Sequence, residues 1–157
     1  MLITIVKFAY LMALIIWIGS IIFFSFFGAP SIFKVLDREL AGKVVGDIFP
    51  KYWMIGYTCS ATVLGSLFFL RKYGTENTMV RIVLVSVMLI VVYVAGLGIG
   101  TKAKRIKAQM YATEDTETRE EIRKKFMKIH GISMAMNMTT LLLGVITIFI
   151  TAYHVKI

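Results

Sequence analysis

The sequence predicts an all-α protein, an integral membrane four-helix bundle. It also predicts an amphipathic interfacial helix between spans 1 and 2 and a cytoplasmic helical extension between spans 3 and 4. Three observations lead there. Four stretches contain no Asp, Glu, Lys or Arg: Phe8–Phe33, Tyr52–Leu70, Ile82–Thr101 and Ile129–Val155, of 26, 19, 20 and 27 residues. A helix of about 20 apolar residues crosses a hydrocarbon layer roughly 30 Å thick. All the charge except Lys7 and Lys156 lies between these stretches, and a backbone in contact with lipid must bond to itself, which selects helices. In 157 residues little chain is left for a separate soluble domain, so 1–157 reads as a single transmembrane domain.

Span 1 covers about 8–29. Its apolar run is longer than the core of a signal peptide, only Lys7 precedes it, and Pro30 follows Gly28-Ala29 where cleavage would fall. It reads as a retained span. The next element is amphipathic: Ile32, Leu36, Leu40, Val44 and Ile48 recur every four residues, with Lys34, Asp37, Arg38, Glu39 and Asp47 opposite. That spacing predicts a helix over about 31–49, capped by Ser31 and ended at Pro50. It would lie along the interface or across the mouth of the bundle.

Span 2 covers about 52–70 and span 3 about 82–101, joined by a short loop turning at Gly74. Gly96 and Gly100 form a GxxxG in span 3, and Ala61 and Gly65 a similar pair in span 2. Small residues at this spacing let membrane helices approach closely. The 27 residues Lys102–Lys128 carry helix-supporting pairs four apart, Glu120–Lys124 and Glu121–Lys125. They predict a helical hairpin turning near Thr113–Thr116 before span 4, about 130–153.

The net charge of +9 would suggest nucleic acid in a soluble chain, but here its placement is topogenic. Loops 1 and 3 hold four and nine Lys and Arg, or 13 together; Lys7, loop 2 and Lys156 hold one, three and one, or 5. The positive-inside rule puts loops 1 and 3 in the cytoplasm and both termini outside, a multi-pass protein of the cell membrane. The basic clusters Lys102–Lys107 and Arg123–Lys128 then face anionic lipid. With no recognition module and no aromatic interleaving, no nucleic acid is expected; the lipid bilayer and a homo-oligomer or membrane-complex partner are. Cys59 is alone within span 2, so no disulfide framework exists.

Polarity within the spans gathers on span 4. His130, Ser133, Asn137, Thr140, Gly144 and Thr151 fall within an arc of about 80° at 100° per residue. Asn137 stands nine residues from Lys128 and Tyr93 nine from Lys102, so both are expected about 13 Å in from the same side. His130, Ser133, Asn137 and Tyr93 are therefore the candidate ligand-binding set. Their competing role is interhelical hydrogen bonding.

A second chemistry is open. His130, Met134 and Met138 lie a turn apart and could ligate a soft metal such as copper, although Met is also common core filling. Haem would need His130 with a methionine, because His130 and His154 are separated by about 36 Å of helix. No cofactor is the first expectation, copper or haem the alternative. The spans hold no carboxylate for ion coupling and no third residue to orient a Ser133–His130 pair, so the chain reads as non-enzymatic.

The sequence resembles the transmembrane protein 205-like family, small four-span proteins of unknown function. The resemblance rests on Trp17-Ile18-Gly19-Ser20, Phe23-Phe24, Pro30, Ala41-Gly42, Val45-Gly46, Phe49-Pro50-Lys51-Tyr52, His130-Gly131-Ile132-Ser133 and Asn137. It implies a four-helix membrane fold without an established activity. Eukaryotic relatives are associated with tolerance of platinum drugs, and the family is distantly similar to copper-resistance D-type membrane domains. Members often carry a proline near the end of span 3, where Thr101-Lys102 stands here. The expected function is thus binding of a small molecule, lipid or partner at a polar cytoplasmic-side site. The alternatives are a soft-metal or haem redox or resistance protein and a structural subunit of a larger membrane complex.

Overall fold

Each charge-free stretch folds as a helix, and each helix runs on past its apolar limits into charged sequence. The structure, a computed structural model, describes residues 1–73 and 78–154; the turn expected at Gly74 lies outside them. Among the described residues every element is helical. The chain forms α1 (Leu2–Phe23), a π-helical turn (Phe24–Gly28), α2 (Ala29–Val35), α3 (Arg38–Tyr73), α4 (Met79–Tyr93), a second π-helical stretch (Val94–Gly100), α5 (Thr101–Ala112) and α6 (Thr116–His154). These join end to end into four rods, Leu2–Val35, Arg38–Tyr73, Met79–Ala112 and Thr116–Tyr153, each long and apolar enough to cross a membrane. The chain is a multi-pass membrane protein.

The rods pack in sequence order, α1 on α3, α3 on α4, α4 on α6, with α6 returning to α1. Their shared core holds Tyr10, Leu14, Trp17, Ile21, Val63, Leu67, Val85 and Met88. Large apolar residues such as Phe68, Val83, Ile90, Leu142 and Phe149 point outward, as they would against lipid. Two glycines set how closely the rods approach. A Cβ at Gly56 would lie 2.8 Å from Val92, and one at Gly144 would overlap Ile18.

The separate amphipathic helix expected over 31–49 is not formed. The first rod continues through Pro30 to Val35, and Leu36 is extended, with φ −105° and ψ 151°. Asp37, not Ser31, caps the start of α3, its carboxylate accepting from the backbone N–H groups of Glu39 and Leu40 at 3.0 Å each. From there α3 runs unbroken through Pro50 into span 2. Proline removes the hydrogen bond to the carbonyl four residues back. That carbonyl belongs to exposed Gly46, where solvent can take the place of the lost donor. The buried line of this segment is Ala41, Val45 and Tyr52, one residue round from the stripe read in the sequence.

The hairpin between spans 3 and 4 turns at Thr113–Asp115, as its polar sequence implied. Gly96 does meet a close neighbour, but that neighbour is aromatic: a Cβ there would overlap the Tyr57 hydroxyl and lie 3.1 Å from the Trp53 ring. The Ala61–Gly65 pair is not a seam within the bundle. Both residues are exposed, and nothing lies within 4 Å of the Gly65 Cβ position.

Candidate functional site

The polar arc of α6 faces inward, and its two halves behave differently. In the half toward the chain's end the hydroxyls are buried and bonded. Thr140 and Thr147 donate to the carbonyls of Met136 and Leu143, at 3.1 and 2.8 Å. The Thr151 hydroxyl lies 2.7 Å from the Thr147 carbonyl and 2.6 Å from the Tyr10 hydroxyl. A threonine bonded to the preceding turn needs no partner on another helix.

The half nearer the hairpin carries the candidate residues. Asn137 Oδ1 accepts a hydrogen bond from the Tyr52 hydroxyl at 2.7 Å, joining α6 to α3. Tyr52 sits in an aromatic cluster built from two rods. Its ring centroid is 5.4 Å from Phe24 and 5.3 Å from Trp53, and Phe49 stacks on Trp53 at 5.9 Å. Phe24 begins one π-helical turn, while Trp53 lies against Gly96 and Gly100 of the other. Such turns insert an extra residue into a helix and are frequent at functional sites.

Tyr93 is not part of this group. It is 37% exposed, and its ring packs on Tyr57 with centroids 4.5 Å apart. The tyrosine that reaches Asn137 is Tyr52. His130 is half-buried and stacks on Phe126, one turn earlier on the same helix, with centroids 6.0 Å apart and planes 10° from parallel. Ser133, three residues further along α6, is also half-buried. Neither side chain makes a hydrogen bond to the described residues, and Asn137 makes none besides that to Tyr52.

Met134 is 57% exposed on the outer surface, turned from the interior face that Asn137 occupies, and Met138 is half-buried. The described residues contain no cluster of three His, Cys, Asp or Glu side chains able to hold a metal ion. Of His154 only the backbone is described. Cys59 is a free, buried thiol. It borders an outward-facing groove of about 410 Å³ between α1 and α3, lined by Ile16, Lys51, Met54, Ile55 and Thr58.

A second polar cluster lies toward the opposite end, and the sequence reading missed it. Arg81 belongs to α4 rather than a loop and is 2% exposed, with its guanidinium 6.0 Å from the centre of the Tyr10 ring. Thr78, Thr147 and Thr151 are also buried. An interior that looked neutral by counting charges between spans therefore contains a cation. The signal was present: Arg81 abuts the run Ile82–Thr101, and a long side chain one residue outside such a run reaches into it.

Comparison with known proteins defines the kinship. A family model described as a domain of unknown function (DUF4149) matches residues 12–112. The chain belongs to this family. An uncharacterized protein of Aquifex aeolicus (strain VF5) is 32% identical over 133 residues, 85% of each chain. No solved structure matches the chain. The DUF4149 match takes in Phe24, the aromatic cluster on α3 and both π-helical turns, and ends before α6 begins. His130, Ser133 and Asn137 thus lie beyond the matched segment.

Proposed function

We propose that this DUF4149 protein is a non-enzymatic membrane protein that binds a small amphipathic molecule where α6 carries His130, Ser133 and Asn137. One observation carries the reading. Residues that serve only as interhelical glue should have their partners, since unpaired polar groups in the membrane are costly. Here Asn137 Oδ1 alone is paired, by Tyr52. The imidazole of His130 and the hydroxyl of Ser133 share its face, half-buried and without hydrogen bonds to described residues. The aromatic cluster of Phe24, Phe49, Tyr52 and Trp53 meets this polar edge through the Tyr52–Asn137 bond, a pairing that suits a ligand with one apolar and one polar end.

The excess of Lys and Arg in loops 1 and 3 supports a cytoplasmic location for this end. Within the wider family we assign the chain to the transmembrane protein 205-like group, on His130-Gly131-Ile132-Ser133 and Asn137.

The test spares the Tyr52–Asn137 bond. Protein extracted from its native membrane in mild detergent is compared with a His130→Leu/Ser133→Ala variant by mass spectrometry of co-purifying small molecules. The expected result is a bound species that the variant loses while its melting temperature is unchanged. Identical cargo in both proteins, or a variant that only melts earlier, would make these residues packing and end the binding reading.

A further inference from the structure

We propose a separate anion site above the membrane, where Lys107 and Tyr111 of α5 close over the glycine face of α3, and infer that it takes a phosphate group. The Lys107 ammonium donates to the backbone carbonyl of Gly42. It also lies 5.8 Å from the centre of the Tyr111 ring. A Cβ at Gly42 would stand 3.2 Å from Lys107 Nζ and 3.6 Å from the Tyr111 hydroxyl, and one at Gly46 would stand 3.5 Å from Nζ. Two donors from α5 thus converge on a patch of α3 that has no side chains.

Gly42 and Gly46 are one turn apart, so together they open a shallow floor on one face of the helix. An ammonium has three protons, and the Gly42 carbonyl takes one, leaving two for a ligand. Among the described residues Lys107 has no carboxylate within ion-pair distance. Lys43, next to Gly42, is within electrostatic reach of Tyr111 and Lys107. It is held 2.8 Å from Glu39 in an exposed i,i+4 pair, and such a pair exchanges partners at little cost. Two ammonium groups and a phenol hydroxyl match the charge and acceptor oxygens of a phosphate better than those of a carboxylate.

Height decides what could carry the phosphate. Lys107 is six residues beyond Thr101 and Gly42 ten before Tyr52, or about 9 and 15 Å past the charge-free helix at 1.5 Å per residue. The headgroup layer is only about 5–8 Å deep on each side. The two counts differ by about 6 Å for groups that touch, because the rods are offset, so they place the site in or just above the headgroup layer, within reach of a lipid headgroup and of a soluble phosphate ester.

The experiment uses the whole protein and two sources. Purified protein in neutral detergent is titrated with inorganic phosphate against chloride at equal ionic strength, following thermal stability. Separately, it is reconstituted in nanodiscs of phosphatidylcholine with or without phosphatidic acid. Lys107→Gln is compared with Lys104→Gln, which removes the same charge from an exposed position on the same helix. Stabilisation by inorganic phosphate that weakens at least tenfold in Lys107→Gln, but not in Lys104→Gln, supports a soluble ligand. The same pattern with phosphatidic acid alone supports a headgroup. No phosphate-specific effect in either arm, or equal losses in the two variants, overturns the site.

Discussion

At the scale of single residues, the bundle is organised by where side chains are missing and by one charge that is buried. Gly96 accepts the Tyr57 hydroxyl and the edge of Trp53, so the aromatic cluster is seated by an absent Cβ. Gly131 lies on the same polar end of the molecule with nothing within 4 Å of its Cβ position. The two glycines should respond oppositely to the same substitution. Gly96→Ala forces a rigid ring to shift and should cost about 1–3 kcal/mol, the usual range for overpacking. Gly131→Ala meets open space and should gain up to about 1 kcal/mol from helix propensity. Melting temperatures of the two variants in one detergent check this, and equal shifts would refute the packing described for Gly96. Arg81 shows the converse, since it is 2% exposed and its guanidinium lies 6.0 Å from the centre of the Tyr10 ring, where the aromatic face favours a cation.

At the scale of elements, caps and breaks fall where carboxylates can reach backbone, not where proline stands. Asp37 opens α3 and Asp115 opens α6, while Pro30 and Pro50 sit inside continuous rods. Weighting proline as a helix breaker places a separate helix over 31–49 that the chain does not make. The four-residue spacing is real, but a helix that continues into a span keeps the same period, so periodicity alone does not show the join. The α6 cap yields a pH test. The side-chain and backbone hydrogen bonds of Thr118 hold the Asp115 carboxyl below its ordinary range. A carboxyl whose folded value is lowered adds stability above its unfolded value of about 3.9, and that stability is lost as pH falls through the folded value. Amide exchange at Thr118 and Arg119 should therefore speed up, relative to the intrinsic rate, as pH drops below about 4. Asp115→Asn keeps an acceptor without titrating, so its protection should show no such step. A step of the same size in the variant would rule out the cap as its cause.

At the scale of the whole molecule, four charge-free stretches are enough to read four membrane-crossing rods, because hydrocarbon leaves the backbone no other way to satisfy itself. The candidate site is legible only in part. Its α6 residues follow from helical spacing, yet depth counted from the nearest charge selects Tyr93 where the structure brings Tyr52. Charges mark hydrocarbon limits poorly on rods that project beyond the bilayer, and α6 carries thirteen residues of extension, 116–128, before its charge-free stretch. Tyr52, first in its own stretch, reaches Asn137, ninth in its stretch, so the two rods are offset along the bundle. The offset leaves sidedness to the charge count alone, with 13 Lys and Arg in loops 1 and 3 against 5 elsewhere. In a Cys59→Ser background, Thr113→Cys in the hairpin turn should react with a membrane-impermeant maleimide only after intact cells are opened. Lys72→Cys, exposed at the other end of α3, should react at once. The reverse pattern would put the hairpin, Lys107 and the His130 end of the bundle on the outer face, and any ligand for them would then have to be sought outside the cell.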